Sequence, residues 1–170
     1  MESLGSTRYI TLEGAKKMMA AAEAEAKKNN WTVAIAIVDA AGNLLMFQKL
    51  DDTQSGSINI AIGKARTAAA FKRPTKAMEE MIVGGRSVFL AVEGLTPLQG
   101  GLPVTVDGHT IGAVGVSGVL STQDEQVARA ALEALKLVRK GEIRNWTNPR
   151  FQIPKSGIRP ISNFPLSIIV

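Results

Sequence analysis

Residues 112–118, Gly-Ala-Val-Gly-Val-Ser-Gly, constrain the fold of this chain more than any other stretch. The β-branched residues suit a pleated strand, while Gly112, Gly115 and Gly118 admit another backbone, or a ligand, at closer range than any side chain would allow. Two readings stay open: tight packing of a helix on the strand, or one wall of a binding site. The run is neither a G-x-G-x-x-G turn nor a phosphate-cradling loop ending in Lys-Ser or Lys-Thr, so it makes no nucleotide claim.

Periodicity places the neighbouring elements. Thr11 can cap a helix reaching Lys28, with Leu12, Ala15, Met19, Ala22 and Ala26 on one face and Asn29-Asn30 as a left-handed exit. Residues 32–38 and 44–50 flank the turn Asp39-Ala40-Ala41-Gly42-Asn43 and read as a hairpin. Ser57 can cap a second helix carrying Ile58, Ala61, Ala65 and Ala68, which Pro74 stops. A short helix over 76–82 follows behind Thr75, and residues 88–92 are expected as a third strand. Residues 93–103 form a long Gly- and Pro-bearing loop of the kind that carries function. A second hairpin turns at Asp107-Gly108, and a last helix opens at Ser121 or Thr122, where Thr122 and Glu125 have capping-box spacing, and runs to Gly141. Strands and helices do not alternate as a parallel sheet requires, so the expectation is an α+β fold with an antiparallel sheet of about five strands and helices packed on it.

At 170 residues one core is expected, in a domain over 1–141 followed by an extended tail over 142–170 that holds four prolines and ends Leu-Ser-Ile-Ile-Val. That apolar ending suits packing on the domain, on a neighbouring subunit or on a sheet edge. The tail also carries +3 of the net +5 charge, which leaves the body nearly balanced and argues against nucleic acid as a partner. No apolar run approaches the ~20 residues of a membrane span. The start Met1-Glu2-Ser3 lacks the basic-then-apolar order of a secretory signal, so a cytoplasmic protein is expected. With no cysteine there is no disulfide, thiolate site or Cys nucleophile.

The candidate chemical residues are few. Lys64 and Arg66 interrupt a small, apolar helix, and a cation projecting from it suits a carboxylate ligand; a solvated helix face is the alternative. Asp39 reads as a partner for Lys64 or as a turn residue. Asp124 and Glu125 open the last helix, either as capping charges or, if shielded from water, as general bases. His109 is the only histidine and follows the Asp107-Gly108 turn, where a surface role is expected, so a His cluster for a metal and a conventional Ser-His-Asp triad are both disfavoured.

Several of these motifs together resemble the GlcG/HbpS haem-binding family, which includes the C-terminal domain of PduO. They are Asp39-Ala40-Ala41-Gly42-Asn43, the helix over 57–71 with Arg73-Pro74-Thr75, Gly100-Gly101-Leu102-Pro103-Val104, and the strand over 111–118 with Asp124-Glu125. The resemblance runs from about Leu12 to Leu135. It implies a profilin-like sheet flanked by helices, homo-oligomers, and in some members haem binding or degradation beside catabolic pathways. It also implies a pocket where Lys64, Thr67, Gly101, Pro103, Gly115, Ser117, Asp124 and Glu125 converge. The cofactor stays open, because the N-terminal helix and first strands hold no histidine to ligate haem. The leading reading is a binding protein for haem or another planar anion. The rivals are a cofactor-independent isomerase, lyase or hydrolase using Lys64 with Asp124 or Glu125, and a purely structural assembly protein.

Overall fold

In the computed structural model, which describes residues 7–138, Thr11 Oγ1 accepts a hydrogen bond from the Gly14 amide at 3.0 Å and so opens α1 (Leu12–Lys28). Capping answers one of the four amides a helix start leaves unpaired. Asn30, in the left-handed region at φ +56°, lets the chain turn into the sheet. Strands β1 (Ala34–Asp39) and β2 (Leu44–Lys49) form the expected hairpin. Helix α2 (Ser57–Phe71) ends at Lys72, also left-handed, just before Pro74, and α3 (Thr75–Val83) follows. Strands β3 (Gly101–Val106) and β4 (His109–Ser117) then pair across Asp107 and Gly108, both at positive φ as a tight type I′ turn requires. Helix α4 (Ser121–Val138) closes the described chain.

The sheet is antiparallel in the order β2-β1-β4-β3, an α+β architecture with four strands rather than five. The strand expected over 88–92 is instead part of a 3-10 helix, Ser87–Ala91. The Val-Phe-Leu-Ala-Val composition reads as β, but strand preference expresses a fit to a half-buried pleated surface. Here Val88 and Leu90 are 71% and 66% exposed, no strand edge lies beside them, and the turn at Gly84-Gly85 sends the chain back against α3.

Three expected caps differ in detail. Ser57 is the first residue of α2 rather than its cap, and its buried hydroxyl has no hydrogen-bond partner. Thr75 lies inside α3, and its hydroxyl serves the β3 backbone instead. At α4 the side chains of Gln123 and Asp124 accept from the amides of Leu120 and Val119, so the Thr122/Glu125 box does not form. Glu125 is drawn to Gln99 and Arg129, which offer it charge-assisted hydrogen bonds.

Alternation along the strands sends two sets of side chains to opposite faces. Val33, Ile35, Ile37, Leu102, Val104, Val114 and Val116 face α1 and α4, where Met18, Met19, Ala22, Val127, Ala128 and Ala131 cover them. Ala34, Ala36, Val38 and Ala113 face α2 and meet Ala61, Ala65, Ala68 and Ala69. Gly115 is on this second face. A Cβ there would run into the Ala61 carbonyl oxygen and sit 2.5 Å from the Ala65 amide nitrogen, so β4 can lie under α2 only as glycine. The described chain therefore has three layers: α1 and α4, the sheet, and α2. The tail over 142–170, and the last residues expected in α4, lie outside the described residues.

Candidate functional site

Close packing of α2 on β4 sets the direction of Lys64. The side chain leaves α2 between the sheet and the loop that precedes β3, and it is 2% exposed. A buried ammonium needs acceptors, since desolvation is costly for any unpaired charge. Lys64 Nζ donates to the Val116 carbonyl at 2.8 Å and to Asp124 Oδ2 at 2.8 Å. Asp124 is equally buried, and its other oxygen accepts from the Val119 amide at 3.2 Å. Burial pushes the Asp124 carboxyl above its ordinary value, although the hydrogen bond and charge of Lys64 and the backbone amides of Val119 and Gly118 pull it down.

Gly100 covers this pair. Its φ of +124° is accessible to glycine, and a Cβ there would stand 2.9 Å from Lys64 Nζ, from Asp124 Cβ and from the Val116 carbonyl oxygen. The Gly100 carbonyl in turn accepts from the Val116 amide at 3.0 Å. Gly101 lies against the Lys64 backbone, and its amide donates to Thr75 Oγ1 at 2.9 Å.

The loop before β3 is strapped down from three helices. Thr67 Oγ1 on α2 accepts from the Thr96 amide at 2.9 Å. Glu79 on α3 accepts from the Gln99 amide at 2.5 Å, and Glu125 on α4 accepts from Gln99 Nε2 at 2.9 Å while pairing with Arg129. Thus Lys64, Thr67, Gly101, Gly115, Ser117, Asp124 and Glu125 do gather around one end of β4. Ser117 is buried opposite Ala34, and Pro103 lies farther along β3 opposite Ala113.

Asp39 and Arg66 belong elsewhere. Asp39 sits at the other end of β1, paired with Gly112, and its carboxylate accepts from the Ala41 and Asn43 amides at 2.9 Å and from Asn43 Nδ2 at 3.0 Å. Burial raises its carboxyl, but these hydrogen bonds outweigh that and hold it below its usual value. It is a turn residue and not the partner of Lys64. Arg66 is exposed, and its Nε donates to the Gly42 carbonyl at 3.2 Å, over the β1–β2 turn. The sequence gives no sign of Gln99 or Glu79, because their tethers join residues 20 and 26 positions apart. Thr75, next to Pro74, was legible only as a cap.

A four-stranded antiparallel sheet with helices on both faces, carrying a buried cation–carboxylate pair under a glycine-covered strap, defines the class to which this chain is compared. The model of the HbpS-like family, described as haem degrading protein HbpS-like, matches residues 10–133, and the chain belongs to this family. It is 50% identical to Protein GlcG of Escherichia coli K12 over 108 residues, 64% of this chain and 81% of GlcG. Among solved structures, Klebsiella pneumoniae ORFY superposes with a TM-score of 0.75 at 33% identity, covering 80% of this chain and 97% of ORFY. A PduOC:heme complex superposes at 0.70 and 27% identity, covering 74% of this chain and 94% of that one.

Proposed function

We propose that the chain is a small-molecule-binding protein that takes a planar organic anion of the tetrapyrrole class at the Lys64–Asp124 end of β4. The observation that carries this is the Lys64 ammonium itself. It has three N–H donors, two of which are engaged among the described residues, in a site where the covering residue is glycine rather than a side chain. With the strap lifted so that Gly100 no longer covers it, the third donor would meet a ligand carboxylate and complete its coordination, with Asp124 fixing the orientation. Support comes from the family description and from the relative solved with haem. The setting in small-molecule catabolism, and assembly as a homo-oligomer, rest on the family resemblance.

Haem ligated through its iron by a histidine of this domain does not fit that site. His109 lies at the start of β4, seven residues from Val116, or about 23 Å along an extended strand. The recognition proposed is therefore of the anion and its plane. Absorbance titration with hemin and with iron-free protoporphyrin IX tests this. Saturable binding of both, weakened in a folded D124N, is expected; no saturable binding of either overturns it.

One observation favours a second reading, acid–base catalysis on a small organic acid. The carboxyl of Asp124, raised above its ordinary value by burial, is a better proton acceptor than an exposed carboxylate, while Lys64 holds the substrate's charge. On that reading D124N removes turnover and leaves binding in place.

A further inference from the structure

The strap over the Lys64–Asp124 pair is fastened by polar contacts and not by apolar burial. None of residues 93–99 belongs to either buried core, and Glu93, Gly94 and Leu98 are exposed. Hydrogen bonds tie the segment down instead. The Thr96 amide donates to Thr67 Oγ1, the Gln99 amide to Glu79, Gln99 Nε2 to Glu125, and the Val116 amide to the Gly100 carbonyl. Each is exchanged for a bond to water when the strap lifts, so its net hold is small, and a segment held in this way opens more readily than a packed core.

Both ends of the segment are built to turn. Gly94 has φ +74° with open space where a Cβ would stand, and Gly100, at φ +124°, is followed directly by Gly101. Between these ends Thr96 seats against α2 at Gly63, where a Cβ would come within 3.0 Å of Thr96 Cβ. The seat is a socket with no side chain across it.

Gly100 also occupies a ligand's place. The amide and the carbonyl of Val116 both face it: the amide donates to the Gly100 carbonyl at 3.0 Å, while the Val116 carbonyl accepts from Lys64 Nζ and lies 2.9 Å from where a Gly100 Cβ would stand. Moving Gly100 away therefore frees two donors together, the Val116 N–H and the third N–H of Lys64. Two such donors suit the two oxygens of one carboxylate.

We infer that residues 95–100 are a gate hinged at Gly94 and at Gly100-Gly101. Closed, its Gly100 carbonyl keeps the place of a ligand carboxylate; open, it leaves that carboxylate between the Val116 amide and Lys64 Nζ. The inference rests on the reading of this end of β4 as the binding site, and it adds a backbone donor and a closed resting state. Ligand and strap compete for the same donors, so the affinity observed is the intrinsic affinity reduced by the fraction of chains whose gate is open.

Amide hydrogen exchange followed by NMR tests the gate without any ligand. The Val116 amide is expected to exchange about tenfold or more faster than the amide of Val114, which is fully buried on the same strand. Because the chain has no cysteine, G63C/T96C places a single pair across the socket, a small shift from the ~3.8 Å between Cβ atoms that a disulfide spans. Oxidation of this variant is expected to slow Val116 exchange about tenfold or more, and reduction to restore it. T67V/Q99A, which removes the tethers to α2 and α4, is expected to speed it. Val116 exchanging no faster than Val114, or at one rate in oxidised and reduced G63C/T96C, overturns the gate. So does a wild-type rate in T67V/Q99A, whether or not the cysteine pair folds. Stopped-flow mixing with protoporphyrin IX then separates gate from site. Binding slowed by oxidation and recovered on reduction supports both, and binding at the same rate in the two forms overturns the gate alone. Exchange as expected with no porphyrin bound overturns the tetrapyrrole reading and keeps the gate.

Discussion

The two faces of the sheet are packed by different rules. Toward α1 and α4 the strands present Ile, Val and Leu against Met and Ala, a volume-filling core in which each fully buried aliphatic side chain is worth about 1.5–3 kcal/mol. Toward α2 they present Ala and Gly, and the helix backbone comes close enough that one methyl group on Gly115 has no room. The first face stores stability in volume and tolerates small changes. The second trades volume for approach, and that approach places a lysine where water is excluded. The lesson is that the thinner, alanine-lined layer is the one that buries a charged pair.

The largest expected effect comes from the charge that α2 carries inward. K64M removes one partner of a buried ion pair, which should lower stability by about 3–5 kcal/mol, while K64M/D124L should recover most of the loss. Chemical denaturation of the two variants measures it. The K64M deficit should also shrink in acid. A carboxyl whose folded pKa lies above its unfolded value binds its proton more tightly in the native state, so stability is present at low pH and falls as pH rises through the folded value. Without Lys64 that rise in pKa is larger, and the pH dependence of the denaturation midpoint should steepen in this direction.

A smaller effect follows from adding a methyl group on the α2 face. G115A should cost about 1–3 kcal/mol, because the Ala61 carbonyl and Ala65 amide belong to helix backbone and cannot rotate away. The smallest effect is removal of a methylene on the other face: I35V should cost about 0.5–1.5 kcal/mol. If thermal unfolding ranked I35V above G115A, the contrast between the two faces would fail.

Much of the scaffold was legible locally. The Thr11 cap, the Asp39 turn, the alanine stripe of α2 and the Asp107-Gly108 turn each act within a few residues, so composition and spacing describe them fully. The 3-10 helix Ser87–Ala91 was not legible, since a Val- and Leu-rich segment becomes a strand only where a sheet edge accepts it. At the site the types Lys64 and Asp124 were recognisable, but not their pairing. Asp39 was the nearer candidate in sequence, and the actual contact joins residues 60 positions apart.

The sequence by itself determined which residues could turn, cap, pair and pack closely, and it marked Gly115 and Lys64 as unusual because no ordinary strand or helix needs them. Only the tertiary structure decided that the lysine is buried, that Asp124 rather than Asp39 neutralises it, and that Gln99, Glu79 and Glu125 strap a glycine over it. The reason is physical. Turns and caps are satisfied by neighbours along the chain, whereas a desolvated charge is satisfied by whatever the packing of separate layers brings within hydrogen-bond reach.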